Sequence, residues 1–180
     1  MQDVQRRILE SAPTLVAESP KDILRQIRRS LKDALDRDLL KIPEASIYKY
    51  VQLERANEGE REFVITGGIK DFRRSPESAR LIRDDLAWLH FTLTVRQHER
   101  NSLEVLSYDF ELVFPDGHAP PFVRFDLNPP GHRNEARELR SHVHPGNDEL
   151  QLPAPVMAPT ELLELLLVRL RPRDRDHLRA

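Results

Sequence analysis

The chain has no cysteine. That absence excludes disulfides, thiolate nucleophiles and every zinc site built on cysteine, so a bound metal would need histidine, aspartate or glutamate. Net charge is nearly absent as well: 28 Lys and Arg against 30 Asp and Glu leave −2, which gives no overall pull toward nucleic acid or an anionic membrane. Long apolar runs are missing. The most apolar window, ELLELLLVRL at residues 161–170, is interrupted by charges and is far shorter than the ~18 residues of a membrane span. The simplest location is therefore the cytoplasm, with no membrane partner. No internal repeat is evident. The Gly67-Gly68 pair is followed by no helix start that would make it a phosphate loop, so it reads as a bulge or bend inside a strand. Ser141 lies in no nucleophile-elbow context.

What remains is enough for one core. The chain has 180 residues, 39% hydrophobic and 32% charged, which suits one domain with an appendage rather than two full domains. Ser19 as N-cap, Pro20 at the first helical position and Asp22 in the first turn introduce Leu24, Ile27, Leu31 and Leu35 at helical spacing, predicting a helix over residues 19–42. Its other face carries Arg25, Arg28, Arg29 and Lys32 among aspartates, as on a solvated face with i,i+4 pairs. A shorter helix is expected over residues 2–11.

From Ala45 the period becomes two. SIYKYVQLER and REFVITGGIKDFRR read as strands joined by a loop holding Gly59. In LAWLHFTLTVRQHER, Leu89, Phe91, Leu93 and Val95 point one way and His90, Thr92, Thr94, Arg96 and His98 the other. Leu106, Tyr108, Phe110, Leu112 and Phe114 form the apolar set of the next strand, with turns at Asn101-Ser102 and Pro115-Asp116-Gly117. A final helix starts at Pro159 or Thr160. The expected architecture is α+β: an antiparallel β-meander of about five strands packed with N-terminal helices and a C-terminal helix. The expected layout is an N-terminal helical segment (1–43), an α+β domain (44–172) and a charged tail (173–180). Leu24, Ile27, Leu31, Phe91, Leu93 and Phe125 are expected in the core.

The chemistry is concentrated between residues 118 and 148. In PFVRFDLN, Arg124, Asp126 and Asn128 share the face opposite Val123, Phe125 and Leu127, and the chain then leaves the sheet at Pro129-Pro130-Gly131 near His132. In RSHVHPG, Arg140, His142 and His144 share a face if the segment is extended. Two imidazoles at that spacing can split into an acid and a base near neutral pH. Three readings compete. The histidines can be ordinary loop residues. They can join His132 and Asp126 around a metal, although the spacing matches no strong zinc motif. Or they can perform phosphoryl chemistry without a metal or cofactor: His142 and His144 as acid and base, Asp126 orienting one of them, Arg124 holding phosphate, and Arg140, Asn128 and His132 binding substrate.

At these residues the sequence resembles the TumE-type family of toxin-antitoxin proteins. Arg124-Phe125-Asp126 with Asn128, then Pro129 and His132, then His142-Val143-His144, then the helix from Thr160 follow that family's order over roughly residues 85–170. Leu127 between Asp126 and Asn128, the EARELR segment and the long N-terminal region depart from it. The resemblance implies a toxin-like protein acting on RNA or nucleotides, with an antitoxin or other protein as partner, and the residue chemistry makes a metal-independent ribonuclease its most concrete form. The competing expectation is a non-catalytic subunit that binds a protein partner or nucleic acid through the arginine-rich helix.

Overall fold

The computed structural model describes residues 17–56, 61–98, 102–137 and 139–172. The expected helix at 2–11, Gly59, Asn101 and the charged tail lie outside them. Among the described residues the fold is α+β, with three helices and one antiparallel sheet of eight strands in the order β1-β2-β4-β5-β6-β7-β8, β3 pairing with β4. The strands are β1 (Val51–Arg55), β2 (Glu62–Gly67), β3 (Leu81–Ile82), β4 (Trp88–Gln97), β5 (Leu103–Val113), β6 (Phe122–Leu127), β7 (Ser141–Pro145) and β8 (Leu152–Pro153). Among the described residues, no helix is long and apolar enough to cross a membrane.

Helix α1 spans Pro20–Asp36, with the Ser19 hydroxyl accepting from the Asp22 amide as the sequence predicts. It stops before residue 42, because Asp38 takes a left-handed φ of 59°. The chain then bridges to Arg83 at Leu40. Its buried stripe is Ile23, Ile27, Leu31 and Ala34 rather than one through Leu24, which is half-buried.

The first half of SIYKYVQLER is a correction. Residues Glu44–Tyr50 form helix α2, with Glu44 in the first turn and Lys49 in the last, the charges a helix dipole favours, and the strand begins only at Val51. Five strands become eight because two of the additions, β3 and β8, are two residues long and carry no readable period, while the third, β7, is the extended His142-His144 segment itself.

Helix α3 (Pro159–Glu164) continues into a wider π-helical turn, Leu165–Arg169. Arg83, fully buried, donates to the carbonyls of Leu166 and Leu170 and pairs with Asp85, satisfying carbonyls that the wide turn leaves open. Both α1 and α3 cover the apolar face of the sheet, where Leu89, Phe91, Leu93, Val95, Phe110 and Leu112 meet Ile27, Leu31, Leu163 and Leu166 in one core. The described part of the N-terminal segment thus shares its core with the sheet. Phe125 packs against this core only half-buried.

The Phe91 ring stacks on Phe110 with centroids 4.9 Å apart and crosses the strand at Gly67. A Cβ at Gly67 would lie 2.0 Å from the ring. Gly67 therefore exists to admit the ring, and the left-handed turn falls on Gly68, at φ +74°. We expect Gly67→Ala to cost about 1–3 kcal/mol by forcing this ring to move, measured as a lower urea midpoint. Phe91→Leu in the same chain should recover part of the loss; strictly additive effects would contradict this contact.

Candidate functional site

The second face of the sheet is built by register. Thr92 pairs with Asp109, Asp109 with Asp126 and Asp126 with His142; one step along, His90 pairs with Glu111, Glu111 with Arg124 and Arg124 with His144. Directly opposed residues project to the same side of a sheet. Four strands therefore deliver two parallel rows of polar side chains to one surface. A third row, Trp88, Val113 and Phe122, is apolar and closes that surface at one end.

Glu111 is 2% exposed and lies at the centre of the second row. Its carboxylate accepts from Arg74 Nε at 2.8 Å and Nη2 at 3.1 Å, from Arg124 Nη1 at 3.3 Å and from His90 Nε2 at 3.1 Å. Burial pushes its pKa up, but the His90 hydrogen bond and the Arg74 guanidinium outweigh this and hold it below the usual carboxylate range. Asp148, from the loop 146–151, completes the arrangement: it takes a fork from Arg74 at 2.9 and 3.0 Å and a bond from Arg124 Nη1 at 2.6 Å. The Arg74 hydrogen bond, ahead of the opposing effect of burial, depresses its pKa. Arg74 holds a left-handed φ of 52° and lays its guanidinium 3.5 Å from the centre of the Phe122 ring. Such a backbone costs on the order of 1 kcal/mol, offset by these contacts.

Beside this network, Asp126 Oδ2 stands 3.2 Å from His144 Nε2 and 3.5 Å from His142 Nε2, and the two Nε2 atoms are 3.1 Å apart. Both imidazoles are 2% exposed. Their other nitrogens are engaged: His142 Nδ1 donates to the Leu139 carbonyl at 2.9 Å and His144 Nδ1 to that of Asn147 at 3.3 Å. Arg124 Nε donates to both oxygens of Asp126, at 3.0 and 3.1 Å. The Gln151 amide lies 3.3 Å from His142 Nε2. Burial pushes the His142 pKa down, against the nearby Asp126 carboxylate. Asp126, His142 and His144 are the described residues able to hold a metal ion together.

The sequence-predicted residues divide cleanly. Arg124, Asp126, His142 and His144 come together. Asn128 joins the wall of an open pocket of about 270 Å³ that Asp126, Arg124, Asp109, Lys70 and Phe72 also line, and its amide nitrogen is buried with no partner among the described atoms. Arg140 does not reach this pocket. Its guanidinium is tied to the carbonyls of Asn128 at 3.0 Å and Leu106 at 3.4 Å, which fastens the loop after β6. His132 stands apart in that loop, its Nδ1 accepting from the Asn134 amide at 3.2 Å. Of the seven residues assigned to the site from the sequence, these two do not join the others.

A division of His142 and His144 into a separate acid and base also finds no geometric support. Both free nitrogens aim at one point, whereas an acid and a base must flank a phosphodiester from two sides. On α1, Arg25 pairs with Asp22, Lys32 with Asp36 and Glu44, and Arg28 donates to the Val51 carbonyl, so that much of the helix's basic face is spent within the chain.

Sequence reasoning missed Glu111, Asp109, Arg74, Asp148, Lys70 and Gln151 as site residues, and placed His90 on the correct face without a role. Glu111 and Asp109 were within reach, because they alternate with the apolar set of β5. No protein family, curated protein or solved structure matches the chain, so the roles of these residues rest on its own geometry.

Because Glu111 and Asp148 both titrate below their unfolded values, of about 4.3 and 3.9, their stabilisation is fully present above those values and is lost as pH falls through the lower folded ones. Urea midpoints should therefore hold from pH 7 to about 5 and fall in stronger acid. Glu111→Gln should cost about 1–3 kcal/mol at pH 7, since it weakens the charged hydrogen bonds from His90, Arg74 and Arg124 while Asp126 and Asp148 still pair the guanidiniums, and the gap to the wild type should close as acid protonates the wild-type carboxyl. A gap that does not change with pH would contradict this account.

Proposed function

We propose that the protein is a toxin-like component of a prokaryotic toxin-antitoxin or defence system that hydrolyses RNA in the cytoplasm at the polar face of its sheet, with an antitoxin as its partner. The observation that carries this reading is the pocket in which an aromatic ring and an ammonium group stand beside the Asp126 carboxylate, on whose far side the two imidazoles converge. Phe72 is 79% exposed, and Lys70 Nζ sits 5.5 Å from its ring centre. An exposed ring at the mouth of a polar pocket is a platform for an unpaired base, and a cation beside it suits the adjoining phosphate. The resemblance of residues 124–144 to TumE-type proteins supports the same substrate.

The chemistry follows from the three acceptors, Asp126 Oδ2 and the two Nε2 atoms. A water between them can give up a proton as its oxygen bonds to phosphorus. The bond from phosphorus to the leaving ribose oxygen then breaks, and that oxygen takes up a proton. Asp126 is common to the pocket wall and to the cluster, so it marks where substrate and water meet. Arg124, fixed by Asp126, Glu111 and Asp148, supplies positive charge at the wall without having to reorient during the reaction.

Expression in a bacterial host should inhibit growth, with relief by the neighbouring gene, and the purified chain should cut single-stranded RNA. Asp126→Ala and His144→Ala should abolish both effects in folded protein. Phe72→Ala should weaken single-stranded RNA binding about 5- to 100-fold, the range expected for one lost base stack, while Phe72→Trp retains it. A folded chain that leaves growth and RNA untouched, and that purifies only with a partner chain, would replace this reading with that of a non-catalytic subunit.

A further inference from the structure

We infer that Asp126, His142 and His144 form a three-ligand site for one divalent transition-metal ion, the class to which Zn2+, Mn2+, Fe2+ and Co2+ belong. This deepens the reading above by concerning the same site, but it depends on no property of RNA.

The first argument is an excess of acceptors. A neutral imidazole carries one N–H. If the His142 proton is on Nδ1, it satisfies the Leu139 carbonyl and leaves the Nε2 lone pair facing His144 Nε2 at 3.1 Å. If the proton is on Nε2, the Nδ1 lone pair faces the Leu139 oxygen at 2.9 Å. His144 has the same choice between His142 and the Asn147 carbonyl. Every neutral assignment with both Nδ1–H bonds intact sets two lone pairs and a carboxylate oxygen around one point. From outside the cluster, Gln151 Nε2 lies 3.3 Å from His142 Nε2 and Arg124 Nε donates to Asp126, so a metal would take the place of the Gln151 contact. A cation at the point removes the repulsion. An extra proton shared between the two Nε2 atoms would instead place a cationic imidazole where both side chains are 2% exposed.

The second argument is metric. With metal–ligand bonds of about 2.1 Å, separations of 3.1, 3.2 and 3.5 Å subtend angles of about 95° to about 113° at the metal, between octahedral and tetrahedral values. A point about 2.1 Å from all three atoms exists roughly 0.9 Å off the plane through them, so their separations already suit one ion. Three ligands on one side leave positions for water and substrate, the arrangement of catalytic rather than structural sites.

The surroundings agree. Ligating histidines commonly donate their second N–H to a backbone carbonyl, and ligating carboxylates are themselves hydrogen-bonded; His142, His144 and Asp126 do so through Leu139, Asn147 and Arg124. Charge points the same way. Four carboxylates on this face (Asp109, Glu111, Asp126, Asp148) meet three permanent cations (Lys70, Arg74, Arg124). Two nitrogens and one oxygen suit a first-row transition ion better than Mg2+ or Ca2+, which prefer oxygen alone.

The test is a titration of the chelator-treated, full-length protein with Co2+, read by visible absorption and by the shift in melting temperature. One Co2+ should bind per chain, raise the melting temperature and be displaced by Zn2+. His142→Ala, His144→Ala and Asp126→Asn should each weaken binding by more than about 100-fold. Gln151→Ala, which removes a donor that competes with the metal for the His142 Nε2 lone pair, should leave binding unweakened. Folded wild-type protein that binds no Co2+, Zn2+ or Mn2+, or binding that survives His142→Ala and His144→Ala together, overturns the site. The two readings fail separately: bound metal without RNA cleavage sinks the RNA reading alone, whereas cleavage by a chain that takes no metal sinks the metal centre alone.

Discussion

Glu111 is a buried carboxylate in the middle of a four-strand surface, and its need for partners organises what surrounds it. An ionised carboxyl removed from water costs several kcal/mol unless charge and hydrogen bonds replace its hydration. Here the replacements are two guanidinium groups and an imidazole, contributed by β4, β6 and the segment before β3. Each guanidinium then needs further anions, and both find Asp148. The loop from β7 to β8 is thereby drawn across the face, and the same loop presents the Asn147 carbonyl that fixes His144 and the Gln151 amide beside His142. The orientation of the imidazole pair is thus set by a charge two strands away.

The two faces of the sheet divide the work. On the apolar face, helices α1 and α3 bury leucine, isoleucine and phenylalanine in one continuous core that fixes the strands. With the strands fixed, register alone decides which polar groups meet on the other face. Asp126 faces His142 and Arg124 faces His144 because β6 and β7 pair without a shift over these residues, and the single irregularity in β4–β5 falls at Thr94 and Val95, beyond the two rows. A one-residue slip would turn every one of these groups toward the core.

Much of this was legible in the sequence. The cap at Ser19 is local chemistry, and the alternation in β4, β5 and β6 reports directly on which face a side chain occupies, so that Arg124, Asp126, His142 and His144 could be grouped before any coordinates. Arg140 and His132 share that sequence neighbourhood, but their side chains are taken up by nearby backbone groups, and periodicity says nothing about hydrogen-bond partners. Helix α2 was misread because Ile47 and Val51 fit a strand pattern as well as a helical one over so short a span. Arg74 and Asp148 had no signal at all. They lie in loops without a period, and what makes them matter is a carboxylate 37 residues from one of them and a guanidinium 74 residues from the other.

That last separation also has a bearing on synthesis. The ribosome releases a chain from its N-terminus onward, and domains fold as their segments emerge. Helix α1 and strands β1 to β5 can pair early, but Asp148 and Gln151 arrive after every other member of the site, and α3, which covers the apolar face, arrives after them. Until then Arg74 and Arg124 lack one of their anions and the imidazoles lack their loop. The fold thus carries its own delay: the polar face cannot close before residues 148–151 have been made, whatever the earlier strands have already paired.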